Sequence, residues 1–248
     1  MNIWITGASS GIGAEVAQLY ARSGHTVFAS ARNQATLDTM AAASASFNGK
    51  IIALPLDVTD NESVSRAFDQ IQKHGSKLDL AILNAGYYEP VKFDALTLAH
   101  FEKTYDVNLL GVVRCLLPLL HHFTENNPGH IAIVSSVSGF RGLPKAAAYG
   151  SSKAALINMA ESLKPECNAH GIKLSLVNPG FVKSKLTDQN DFKMPFIMDT
   201  DDAAKRIVRG LESNAFETTF PKRFTYWLKL FRILPYKLYF VLSKSLVK

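Results

Sequence analysis

The chain has 248 residues, 47% hydrophobic and 19% charged, which is ample for one sizeable core and too short for two substantial domains. Its 27 basic and 21 acidic residues leave a formal charge of +6, but residues 1–220 hold 20 basic and 21 acidic groups, so the positive excess lies entirely in residues 221–248. Cys115 and Cys167 have no metal-ligand spacing around them and the seven histidines are scattered, so no metal site is expected and both thiols should be free, in a reducing compartment.

Met1 leads directly into a first strand, so no secretory leader is expected and the location should be cytoplasmic. Asn2–Thr6 reads as a short buried strand, and Gly7-Ala-Ser-Ser-Gly11-Ile-Gly13 runs straight into the helical pattern Ala14–Arg22. Glycines between a strand and a helix allow a tight turn, let a pyrophosphate approach the backbone, and leave its charge on unpaired helix N–H groups. Gly7-Ala-Ser9-Ser-Gly11 also matches a hydrolase nucleophile elbow, but too few residues precede it to build an oxyanion loop.

Beyond this turn, short apolar runs alternate with longer amphipathic segments. The pattern predicts strands near 25–31, 50–56, 78–83, 129–135 and 172–178, a short seventh near 215–220, and helices between them. This is an α/β chain with one Rossmann-like doubly wound parallel sheet of about seven strands. Residues 1–220 should form a single nucleotide-binding and catalytic domain, followed by a basic aromatic tail at 221–248.

Tyr149 and Lys153 are four apart in Ala148-Tyr-Gly-Ser-Ser-Lys153, with Ser135-Ser136 upstream. On a helix they share a face. A free tyrosine has a pKa near ~10, and an adjacent positive charge lowers it toward the range useful for proton transfer. Alone, this spacing is more often a packed ring beside a snorkelling lysine.

Taken together, Thr6-Gly-Ala-Ser-Ser-Gly-Ile-Gly13, Leu56-Asp57-Val58, Asn84-Ala-Gly86, Asn108, Ser135-Ser136, Tyr149-x-x-x-Lys153 and Asn178-Pro-Gly-Phe-Val-Lys-Ser184 resemble the short-chain dehydrogenase/reductase family over about residues 2–213. The resemblance implies that Tyr149 is the proton donor in reduction and the acceptor in oxidation. By the same resemblance Lys153 holds the nicotinamide ribose and depresses the tyrosine pKa, Ser136 polarises the substrate oxygen, and Asn108 anchors a relay water. It implies a cofactor set of Gly7, Ser9, Ser10, Gly11, Ile12, Gly13, Arg32, Asp57, Val58, Asn84, Ala85, Gly86, Tyr149, Lys153, Pro179, Gly180, Val182 and Ser184. At the end of the second strand, Ala31 replaces the carboxylate that would hold a ribose 2′-hydroxyl and Arg32 follows it, so NADP(H) is expected over NAD(H). Ser10 and Leu83 depart from common family residues.

The expected activity is reversible carbonyl–alcohol interconversion on a hydrophobic small molecule, since Phe140–Pro144, Phe181-Val182, Tyr87-Tyr88 and the loop 184–200 are mostly apolar. A nucleotide sensor that lost turnover, and a nucleotide-sugar epimerase or dehydratase, are the alternatives; the intact Ser136, Tyr149, Lys153 and Asn108 oppose the first and the short C-terminal part opposes the second. A homo-oligomer is expected from the resemblance, and nucleic acid is not an expected partner. In the tail, Pro235 should separate two helices. Lys222, Thr225, Lys229 and Arg232 should form a polar stripe beside a broad apolar face. Such a helix suits an anionic bilayer surface at the inner face of a membrane, a partner subunit, or the substrate cleft of its own chain.

Overall fold

A computed structural model describes residues 1–75, 77–126, 128–192 and 194–244. Lys248 of the predicted basic tail and residue 193 of the predicted substrate loop lie outside the described residues. Strands β1 (Asn2–Thr6), β2 (Thr26–Ala31), β3 (Lys50–Pro55), β4 (Leu80–Leu83), β5 (His130–Val134), β6 (Lys173–Pro179) and β7 (Glu217–Phe220) form one parallel sheet. Their order is β3-β2-β1-β4-β5-β6-β7, and each lies within two residues of its predicted ends.

Parallel strands are buried on both faces, which is why they read as continuous apolar runs. In β1, Ile3 and Ile5 face α1 (Gly11–Arg22), α2 (Gln34–Ala43) and α7 (Thr200–Glu212), meeting Val16, Leu37 and Ile207. Trp4 between them faces α3 (Asn61–Lys73), α5 (Gly111–Glu125) and α6 (Ala147–Ala169), in a core with Phe68, Leu119 and Leu156. The Trp4 indole N–H donates to Ser30 Oγ at 2.9 Å, so this fully buried ring strands no polar group. Helix α4 (Leu98–Tyr105) continues through a π-helical turn, Asp106–Leu110, into α5. The run Leu98–Glu125 is long and apolar enough by composition to cross a membrane. Its buried Val112, Cys115, Leu116, Leu119 and Phe123 pack into the sheet core, which makes it a core helix here.

Strand order reverses between β1 and β4, opening a crevice at the carboxyl ends of the strands. Gly7, Arg32, Asp57, Asn84, Ser135 and Gly180 follow the carboxyl ends of β1 to β6. The tail forms α8 (Lys222–Ile233) and α9 (Tyr236–Ser243), divided at Pro235 as predicted. Part of its predicted polar stripe is engaged by the body. Thr225 is fully buried, Lys229 pairs with Glu217, and Arg232 reaches Glu161 at 3.7 Å, so this side of α8 turns toward the body. Leu228 enters the main core with Phe224 and Phe231 packed against it. Distant acids and an apolar cleft supplied these partners, which helical spacing alone does not reveal.

Candidate active site

Thr6 ends β1 and organises the first turn. Its hydroxyl oxygen accepts the N–H groups of Asn84 and Ala85 at 3.0 and 3.1 Å, tying the end of β4 to the turn. The Asn84 amide donates to the carbonyls of Thr6 and Gly7 at 3.1 and 3.2 Å. Asn84 therefore braces the turn, and Ala85 and Gly86 supply the adjoining surface. Gly7 has φ +68°, and a Cβ there would lie 2.8 Å from Ala85 Cα. A Cβ on Gly13 would lie 2.3 Å from the Gly7 carbonyl oxygen and 2.6 Å from the Asn84 amide nitrogen. Only glycine fits either position.

Ser10 is the N-cap of α1 but makes no side-chain capping bond, and the first turn carries no acid. The helix N-terminus is thus open to an anion. Ser9 borders it, while Ile12 packs inward against the sheet. Ser184 faces this turn: its Cβ is 3.5 Å from where a Gly11 side chain would begin. Thr187, which the sequence reading did not single out, holds that loop. Its hydroxyl accepts from the Ser184 N–H at 2.9 Å and donates to the Val182 carbonyl at 2.8 Å. Pro179 ends β6, Gly180 N–H donates to the Phe220 carbonyl at 2.8 Å, and buried Val182 bridges to Met198.

Arg32 is exposed just after β2. Asp57 follows β3; burial works against its charge, but the Thr59 N–H and hydroxyl at 2.9 and 2.7 Å, with Arg32 and Arg114 nearby, hold it net below the usual carboxylate range. Val58 is buried against Gly111, where a Cβ would lie 2.7 Å from the valine. Arg114 clamps this wall through Asp106 at 2.8 Å and the Val58 carbonyl at 3.3 Å. No sequence signal marked it.

The chemistry-bearing groups converge beside this crevice. Adjacent serines on an extended chain point opposite ways. Ser135 Oγ donates to the Lys153 carbonyl at 2.8 Å and pins α6. Ser136 Oγ instead caps the following turn, accepting from the Ser138 N–H at 3.1 Å, and interacts with the Tyr149 phenol. Of this pair, Ser136 is the one beside the phenol.

Lys153 is buried, and its ammonium donates to the Val134 carbonyl at 3.0 Å. Burial brings its pKa down to about 8. Its nitrogen is 5.8 Å from the Tyr149 ring centre. Tyr149 is half-buried, and desolvation pushes its phenol up to about 12, against a smaller opposite pull from Ser136. Within the protein groups alone, the ammonium is directed at a backbone carbonyl and desolvation is the larger influence on the phenol.

Asn108 lies fully buried in the π-helical turn. Its amide oxygen accepts the Tyr87 N–H at 2.6 Å, and its nitrogen donates to the Tyr87 carbonyl at 2.8 Å and Ser152 Oγ at 3.1 Å. It joins the 87–88 loop to α6, a bracing task in addition to any water contact. A Cβ on Gly86 would be 3.6 Å from Asn108 Oδ1 and 3.8 Å from Lys153 Nζ, so all three border one space.

The predicted substrate segments also meet. The Tyr88 ring stands edge-on to Tyr149 at 4.9 Å, and its hydroxyl donates to Asn190 at 2.7 Å. Lys145 pairs with Asp191 at 2.9 Å, joining the loop before α6 to the 184–200 loop. The tail covers this side. Phe224 lies 5.7 Å from Phe181 and 6.0 Å from Phe196. Arg141 donates to the carbonyls of Arg232 and Leu234 at 3.1 and 3.2 Å and sits against the rings of Tyr236 and Tyr239, whose hydroxyl bonds the Gly142 carbonyl. Arg141 lay within a predicted substrate segment, but its role as the tail's latch was not foreseen. A hollow of 520 Å³ lies beside Glu89, His100 and Lys103, and none of Asn108, Ser136, Tyr149 or Lys153 lines it.

A family model described as short chain dehydrogenase matches residues 1–194. An uncharacterized oxidoreductase of Myxococcus xanthus (strain DK1622) is 33% identical over 242 residues, covering 98% of this chain and 96% of the relative. A short-chain dehydrogenase from Sphingobium yanoikuyae in complex with NADPH superposes with a TM-score of 0.81 at 26% identity, over 89% of this chain and 87% of that one. A 3-ketoacyl-ACP reductase from Sinorhizobium meliloti 1021 gives a TM-score of 0.76 at 26% identity, over 88% and 95%. With a family match over most of its length and an oxidoreductase relative aligned nearly end to end, this chain belongs to the short-chain dehydrogenase family and is an oxidoreductase of that family.

Proposed function

We propose that the protein reduces a lipophilic ketone or aldehyde to its alcohol with NADPH. The observation that carries this reading is the convergence of Ser136, Tyr149, Lys153 and Asn108 on one space beside the glycine turn. The close turn at Gly7 and Gly13 and the acid-free start of α1 fit a dinucleotide pyrophosphate. Bound there, the nicotinamide supplies the hydride.

The chain's own residues then handle orientation and the proton. The Ser136 hydroxyl donates to the substrate oxygen while keeping its bond from the Ser138 N–H. Tyr149 O–H transfers its proton to that oxygen as negative charge develops on it. Desolvation keeps the phenol in its protonated form across the neutral range, so the proton to be transferred is in place. The Lys153 ammonium stabilises the phenolate left behind, and Asn108 keeps α6 and the 87–88 loop in register.

NADPH over NADH is supported by Arg32 after Ala31, and by Lys103 of α4, which lies near enough to Arg32 for the two charges to oppose each other. The Sphingobium neighbour's NADPH agrees with this. The aromatic lining from Tyr88, Phe181 and Phe224 and the likeness to a 3-ketoacyl-ACP reductase support a lipophilic substrate. A cytoplasmic homo-oligomer completes the reading, with Leu110 and Leu117 exposed seven residues apart as a surface for a second copy.

The test is turnover of aliphatic, aromatic and isoprenoid carbonyls with NADPH and NADH. Tyr149→Phe should lower kcat by about 10²–10⁴-fold and retain NADPH binding by fluorescence. Turnover of small polar sugars alone, or an unchanged Tyr149→Phe enzyme, overturns the proposal.

A further inference from the structure

We infer that the outward face of α8 and α9 seats the protein on an anionic lipid bilayer, with the mouth of the substrate cleft at the contact. Helix α8 is apolar on two sides. Phe224, Leu228 and Phe231 pack inward, yet Tyr226, Trp227, Leu230 and Ile233 point outward, with Trp227 64% and Ile233 77% exposed. Helix α9 adds exposed Leu238, Phe240, Val241 and Leu242, while Tyr239 is its buried anchor. An eight-residue helix is marginal in water, and an exposed apolar surface of this kind marks an interaction site.

Charge selects the occupant. Every charged residue in 222–244 is basic. Lys229 and Arg232 pair with Glu217 and Glu161, whereas Lys222, Arg223, Lys237 and Lys244 are exposed around the apolar face. A two-fold contact between copies of this face would oppose like charges. An anionic lipid surface complements them, and the Trp, Tyr and Phe rings suit the headgroup boundary.

The same surface continues to the cleft. Phe192, Phe196 and Ile197 of the 184–200 loop are exposed, and the Phe196 ring lies tilted 6.0 Å from that of Phe224. On the proposed reductase reading, on which this second part rests, a membrane-dissolved carbonyl enters from the lipid without crossing water. Arg141, gripped by the tail five residues after Ser136, ties the seated helices to the catalytic loop.

Full-length protein is floated with phosphatidylcholine vesicles, with or without one-third phosphatidylglycerol. Binding should be roughly tenfold or more stronger to the anionic vesicles and fall with added salt. Trp227 emission should shift to the blue, because the other tryptophan, Trp4, is already fully buried. A Trp227→Ser/Leu230→Ser/Val241→Ser variant should lose binding at unchanged Tm, since these side chains are exposed in the folded chain. Absence of wild-type binding to anionic vesicles, equal binding by the variant, or self-association through this face without vesicle binding overturns the inference. Flotation reads seating without turnover, so vesicle binding with no carbonyl reduction supports the seat and overturns only the reductase reading.

Discussion

The glycine turn and the C-terminal tail stand at opposite ends of the site and constrain the chain in opposite ways. At the turn, a single methyl group cannot be admitted at Gly13, because backbone and the Asn84 amide already occupy the space. In the tail, apolar side chains occur on both sides of α8, and only the side that finds a cleft becomes core. Steric exclusion leaves a spelling that can be read from the chain. Apolar composition leaves a choice that distant partners decide.

Gly13→Ala is the strongest way to break the comparison. Its Cβ would meet rigid backbone, so the variant should lose about 3 kcal/mol of stability and bind NADPH weakly, read by denaturation and fluorescence titration. Gly142→Ala, next to the tail, meets nothing within 4 Å and should be close to neutral in both measurements. Equal effects at the two glycines would remove the steric argument.

Lys153→Met asks what the buried cation costs. The folded-state pKa of about 8 lies below the ordinary 10.5, so between those values the unfolded chain holds a proton that the folded chain has released. Stability of the natural protein should therefore rise with pH from 8 to 10.5 on account of this group, with the full cost present below pH 8. The methionine variant should be more stable by about 3 kcal/mol below pH 8, with the gain shrinking toward pH 10.5, while reduction is lost. Reduction by the natural enzyme should decline as pH climbs through about 8, where Lys153 loses the charge that stabilises the phenolate. Chemical denaturation across pH and initial rates check both.

Arg141→Ala should cost less than the Gly13 and Lys153 changes, about 1 kcal/mol, because it removes two bonds to tail carbonyls and two ring contacts at a partly exposed site. Amide exchange should quicken in α9 and leave β1 and β5 unchanged. Uniform quickening would make the tail an integral part of the core.

Much of the architecture was legible because both-face burial writes the inner strands as apolar runs, as in β1, β4 and β5. At the candidate site, Gly7 and Gly13 were legible because the backbone around them leaves no room for a Cβ. What remained hidden depended on pairs far apart in the chain. Arg141 meets carbonyls more than ninety residues away, and Lys229 finds Glu217 across the joint between β7 and α8. Helical spacing put Lys153 on the face of Tyr149, but it could not show the Val134 carbonyl that draws the ammonium aside. Asn84 and Asn108 were noticed for ligand contacts, and most of their hydrogen-bonding capacity goes to bracing the walls.

The joint between the last strand and the tail has a further consequence. β7 is a sheet edge of four residues, with Glu217 bonded to Asn178 on one side and Lys229 on the other. An uncovered strand edge is a template for another chain's backbone. Helix α8 follows β7 directly and is tied to it by the Lys229–Glu217 pair, so displacing the tail from the body would disturb the strand that carries that edge.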